Sequence, residues 1–209
     1  MKKHLLVVFI LLNTILSAQS DIIFSEIMFW PQSGNNEFIE LYNQSSSDSI
    51  DLAGYKIKYY ISTPDEIISA GEGTILPPLS FAVIFEGDYD QSTGIYKDII
   101  PLNALTLKIS DNSFGSSGMA NTSNRQILLF NSAGDTVDSV TYSANNSEGF
   151  SDEKIILNND DSVSNWSNSI ILNGTPGYKN SVTPKLYDLQ ITSFSPLNNY
   201  GLPGESQHF

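Results

Sequence analysis

The chain has no cysteine among its 209 residues. That excludes disulfides, thiolate metal centres and a cysteine nucleophile. Histidine is nearly as scarce: only His4 and His208 occur, close to the two ends. A Ser-His-Asp triad or a His-ligated zinc inside the folded body is therefore excluded. Positive charge is also in short supply. Ten Lys and Arg face 23 Asp and Glu, for a formal net charge of -13. With no Lys/Arg cluster to localise a positive patch, a phosphate backbone is repelled and no nucleic-acid partner is expected. Charged residues of both signs make up 16%, below the roughly 25% of ordinary soluble domains. What is present is apolar: 40% hydrophobic and 11% aromatic residues supply enough material for a packed core. At about 150 residues per domain, the length fits one or two domains.

The first twenty residues have the order of a secretory signal. Lys2 and Lys3 precede the apolar run Leu5 to Leu16, and the small residues Ser17, Ala18 and Ser20 follow. The run is shorter than the roughly 20 residues that span a bilayer. Residues 1–20 are thus expected to be cleaved, after Ala18 or after Ser20, and the remainder secreted or held at the outer cell surface. Losing the two lysines takes the charge from -13 to -15. Without disulfides, the exported chain must draw its stability from core burial.

From Asp21 onward, short β-rich runs alternate with turn clusters, and no amphipathic helix stands out. Strands are expected at 22–29, 37–43, 55–62, 81–85, 105–109, 125–130, 136–142 and 154–157. The alternation in 37–43 places Ile39 and Leu41 inward and Phe38, Glu40 and Tyr42 on the opposite face. Phe81 to Phe85 is a continuous apolar run, as for a strand covered on both sides. The expected core comprises Ile39, Leu41, Ile57, Val83, Leu128 and Val140. Val182-Thr183-Pro184 has linker composition, and a strand pattern restarts at Leu186 to Phe194. The organisation read from this is a signal at 1–20, a β domain at 21–182, and at 183–209 a linker with the start of a further, truncated β domain.

Several of these segments together resemble one family. They are Ile23-Phe24-Ser25-Glu26-Ile27-Met28, Glu37 to Asn43, Ile50 to Ile57, Thr74 to Pro78 before Phe81, and the hairpin Ile127 to Val140. Asn165-Trp166 and then Gly174-Thr175-Pro176-Gly177-Tyr178-Lys179-Asn180 complete the series. In this order they resemble the lamin-tail domain in its bacterial, secreted form, over about residues 21–181. The resemblance implies an all-β, immunoglobulin-like antiparallel β-sandwich and a non-catalytic module. Its nuclear relatives serve as interaction domains, and its secreted ones accompany hydrolases and adhesive modules. It brings no catalytic residue with it.

Glu26, Glu37 and Glu40 are the carboxylates most worth following as binding residues. If the first two strands pair, these groups approach one another, and close carboxylates can do acid–base work or hold a cation. The bland alternative is that they face solvent or accept loop N–H groups. Asp88 to Gly94 begins like a calcium loop, but Thr93 stands where an EF-hand needs Gly and Ile99 where it needs Glu; an acidic solvated loop is expected, with a low-affinity calcium site at Asp88, Asp90 and neighbouring carbonyls as the alternative. No metal or cofactor is expected. Trp30, Tyr55, Tyr59 and Tyr60 could form an aromatic carbohydrate platform or simply pack the sheet. Trp166 reads as a plug at one end of the sandwich, and Asn158 to Asp161 as turn chemistry. The leading expectation is a non-catalytic extracellular interaction module, an accessory domain that binds a protein or an extracellular polymer, with further domains following in the full-length chain. The alternatives are a carbohydrate-binding module and a carboxylate-based secreted hydrolase.

Overall fold

A computed structural model describes residues 20–34 and 36–185. Residues 1–19 of the signal expected at 1–20, and the strand pattern expected at 186–194, lie outside the described residues. Among the described residues, twelve strands follow in chain order: β1 (Ile22–Met28), β2 (Phe38–Asn43), β3 (Ile50–Asp51), β4 (Lys56–Tyr59), β5 (Asp65–Ser69), β6 (Ile75–Leu76), β7 (Phe81–Phe85), β8 (Leu105–Ile109), β9 (Arg125–Phe130), β10 (Thr136–Tyr142), β11 (Asp152–Lys154) and β12 (Trp166–Asn168). A single 3₁₀ turn, Val163–Asn165, leads into β12.

The strands form an immunoglobulin-like β-sandwich. Ten of them are joined in the order β10-β9-β4-β5-β8-β7-β2-β1-β11-β12, and β3 pairs with β6 apart from these. β5 turns the corner. Asp65 and Glu66 pair with β4, whereas Ile67 to Ser69 pair with β8. On the other side Phe24 N donates to Asp138 Oδ2 at 2.7 Å and ties β1 to β10. The sheet thus curls until its inner face encloses one core. Ile39, Leu41, Ile57, Ile67, Ile84 and Leu129 meet there, all fully or almost fully buried.

Every strand pair is antiparallel except β7 and β8, which run parallel. A parallel pair needs a crossover of a dozen or more residues. Residues 86–104 supply it, and they double back across the outer face of the sheet. There Tyr89 and Tyr96 pack with Met28, Phe38, Val83 and Phe85 in a second apolar cluster. Phe85 stacks on Tyr89 with centroids 4.0 Å apart, and Phe38 meets Tyr96 edge-on at 5.2 Å. The sheet carrying β1, β2 and β7 is therefore covered on both faces, as the run Phe81 to Phe85 suggested.

Two core expectations need correction. Leu128 is half-buried and points away from the core, while Ile127 and Leu129 point in. In the run Ile127-Leu128-Leu129 every residue is apolar, so alternation cannot set the phase, and a one-residue slip exchanges the faces. Val83 is buried, but in the outer aromatic cluster. β5 had no counterpart in the sequence reading. The last expected strand, 154–157, is observed at 152–154.

Candidate functional site

A polar cluster occupies the outer face of the same sheet. Glu153 on β11, Glu26 on β1 and Glu40 on β2 are direct register partners across three neighbouring strands. All three have 0% exposure. Strict alternation along β1 would send Glu26 to the same side as Ile22 and Phe24. A β-bulge between Phe24 and Glu26 shifts the register by one residue. Ile22, Phe24, Ile27 and Phe29 then share the inner core, and Glu26 faces outward.

The closing segment 174–182 lies over this row as a strap. Thr175 N donates to Glu26 Oε1 at 2.9 Å, and Gly177 N to Glu40 Oε2 at 2.5 Å. Glu153 Oε2 accepts from Ser181 Oγ at 2.6 Å and Val182 N at 3.1 Å. From the sheet side Ser25 Oγ donates to Glu40 Oε1 at 2.6 Å, and Ser151 Oγ to Glu26 Oε1 at 2.5 Å. Asn180 Nδ2 bridges the carbonyls of Ser25 and Lys154, both at 2.8 Å, and so pins the strap to β1 and β11. The glycines are required by this close approach. At Gly174, φ is +70°, and a Cβ there would overlap Glu26 Oε1. At Gly177, φ is +83°, and a Cβ would lie 2.7 Å from the Cβ of Ala104 in the crossover.

Burial in this row works against ionisation. It pushes the Glu26 carboxyl up to about 8, and the neighbouring Glu153 adds to the shift. The Glu40 carboxyl is held well above the ordinary carboxylate range, again by burial first and by Glu26 second. Hydrogen counting agrees. Thr175 Oγ1 sits 3.1 Å from Glu26 Oε2 and 2.9 Å from Glu153 Oε1. A single hydroxyl hydrogen cannot serve two carboxylates. A proton on Glu26 completes the line from Glu26 Oε2 through Thr175 Oγ1 to Glu153 Oε1.

The structure brings Glu26 and Glu40 together and keeps Glu37 apart. Glu37 has the parity of Ile39 and points to the other side of β2, where its Oε2 accepts Met119 N at 2.7 Å. Burial pushes it up to about 8. Glu153 completes the row and was absent from the sequence reading. Its partners Thr175, Ser181 and Val182 all come from the closing segment, so the glycine-rich string 174–180 was the available signal. Among the described residues, no group of three or more His, Cys, Asp or Glu is arranged to hold a metal ion. In the acidic loop, Asp90 accepts from Ser92 N, Ser92 Oγ and Thr93 Oγ1 and is held down at about 2 by these bonds.

The aromatic residues divide. Trp30 and Tyr55 pack partly buried against the core. Tyr59 is buried, with its hydroxyl 3.2 Å from that of Tyr142. Only Tyr60 of the four is well exposed, at 46%, and the Arg125 guanidinium lies 4.4 Å from its ring centroid. Trp166 packs against the main core beneath Lys154, whose Nζ pairs with Asp161 Oδ1 at 2.7 Å. Asn158 Oδ1 accepts Asp160 N, and Asp160 Oδ1 accepts Ser162 N, as side-chain-mimicked turns.

A curled sandwich whose buried carboxylates hold down its own closing segment defines a class of β-sandwich module. Residues 16–144 match the family described as the Lamin Tail Domain, and the chain belongs to that family. A search of curated proteins gives no match. The family match ends before β11, so Glu153 and the strap lie beyond it, while Glu26, Glu37 and Glu40 lie inside.

Proposed function

We propose that this protein is an exported, non-catalytic interaction module, an accessory domain of a larger secreted protein that engages a protein or an extracellular polymer. The observation that carries this reading is the state of the buried carboxylates. Each oxygen of Glu26, Glu40 and Glu153 already meets a hydrogen-bonding group of the chain itself. A general acid or base must reach the proton it transfers, and these groups are sealed beneath residues 174–182. Membership of a β-sandwich module family supports the same reading.

Screening the purified full chain against polysaccharide, phosphodiester and peptide substrates, with and without calcium, tests it. No turnover is expected. Turnover that disappears in Glu40→Gln at an unchanged melting temperature would overturn the reading in favour of a carboxylate hydrolase. Export is tested separately by N-terminal sequencing of protein recovered from the periplasm or medium. The first residue is expected to fall between Gln19 and Asp21, and a start at Met1 would refute cleavage.

A further inference from the structure

A cavity of about 380 Å³ opens between the end of β10 and the strands β11 and β12. Its size falls in the roughly 300–1,000 Å³ range of small-ligand sites. Trp166 lines it, and its polar groups include Asp152, Asn124, Asn145 and Asn168. β11, β12 and Asn145 lie beyond the matched residues 16–144, while Asn124, Thr141 and Ser143 lie inside them.

The side chains there are held in place while keeping polar atoms to spare. Asp152 is buried, and its Oδ2 accepts Ser143 N at 2.8 Å, which leaves Oδ1 without a partner. Asn124 Oδ1 accepts Ala144 N at 2.8 Å, so its Nδ2 stays available as a donor. Asn168 stands directly across the β11–β12 ladder from Asp152. Lys154 Nζ lies 5.5 Å from the centroid of the Trp166 ring.

This composition selects a ligand class. No Lys or Arg lines the cleft, and in a chain of net charge -13 an anionic ligand is repelled by Asp152 and its surroundings. A purely apolar ligand would leave the amides and the carboxylate unpaired, at a cost. A sugar ring answers both demands. It has an apolar face that lies against an aromatic ring, and hydroxyls that both donate and accept.

We propose that the cleft binds a neutral oligosaccharide, with one pyranose ring seated on Trp166 and its hydroxyls shared between Asp152 and the amides of Asn124, Asn145 and Asn168. The proposal rests on the interaction-module reading and names its polymer partner by chemistry.

The experiment is calorimetric titration of the purified full chain with cellohexaose, xylohexaose, mannohexaose and chitohexaose, and with hexagalacturonate as the acidic counterpart. At least one neutral hexasaccharide is expected to bind, and hexagalacturonate is not. Asn145 is exposed, so Asn145→Ala leaves the fold alone, and it should weaken binding about tenfold, the equivalent of about 1.4 kcal/mol. Trp166→Ala should abolish binding, while Tyr60→Ala should bind like the parent. Absence of binding to every neutral hexasaccharide, binding confined to hexagalacturonate, or affinity unchanged in both Trp166→Ala and Asn145→Ala would overturn the proposal. Hydrolysis of a bound hexasaccharide would instead contradict the non-catalytic reading, so the two failures are distinguishable.

Discussion

One sheet face is covered in two different ways. Over β2 and β7, the crossover 86–104 is held by Phe38, Val83 and Phe85 against Tyr89 and Tyr96. Over β11, β1 and β2, the strap 174–182 is held by Glu153, Glu26 and Glu40. The first cover draws on removal of apolar surface from water, which does not depend on pH. The second depends on Glu26 and Glu40, buried carboxyls that must keep a proton to stay neutral. Two covers on the same face should therefore answer differently to the same perturbation.

The largest effect is expected on the aromatic side. Phe38→Ala or Phe85→Ala should cost about 3–5 kcal/mol by denaturant unfolding, since each ring is fully buried among others. Leu41→Ala on the inner face should cost about 2–5 kcal/mol. A loss below about 0.5 kcal/mol would put Leu41 on the surface and break the register of β2.

Smaller effects are expected under the strap. Glu40→Ala removes the acceptor of Gly177 N and Ser25 Oγ and should cost about 1–3 kcal/mol. Glu40→Gln should cost less than about 1 kcal/mol at neutral pH, because an amide reproduces the donor and acceptor of a protonated carboxyl. If Glu40→Gln proved as costly as Glu40→Ala, the carboxyl would be ionised in the fold and the contrast between the two covers would fail.

Much of this organisation was legible in the sequence, and the gaps have physical causes. Alternation in Phe38 to Tyr42 was enough to place Ile39 and Leu41 inward and Glu40 outward. It was not enough in Ile127 to Leu129, where both faces of the pattern are apolar. The outward position of Glu26 depends on the bulge at β1, and the two-residue period contains no sign of one. Glu26 and Glu40 could be suspected of meeting because a short connection joins their strands. Glu153 could not, because its place beside Glu26 depends on a long-range strand pairing, and its hydroxyl partner Thr175 comes from a segment with no periodicity. The same holds for the Trp166 cleft, which gathers side chains from positions 124 to 168.

The pH dependence of the strap tests the central claim most directly. The folded pKa of Glu26 and Glu40 is raised, so their contribution to stability is fully present below the ordinary value of 4.5 and is lost as pH rises through the folded values, about 8 for Glu26. Each group that releases its proton on unfolding lowers stability by about 1.4 kcal/mol per pH unit in that window. The measurement is amide hydrogen exchange, expressed as protection factors at pH 5.5 and pH 8.5. It compares Thr175 and Gly177 in the strap with Ile99 and Ile100 in the crossover, whose N–H groups bond the Tyr96 carbonyl. Protection at Thr175 and Gly177 should fall across this interval far more than at Ile99 and Ile100, and the Glu26→Gln/Glu40→Gln double variant should remove the difference. Equal change in the two segments, or a double variant that behaves like the parent, would contradict the account.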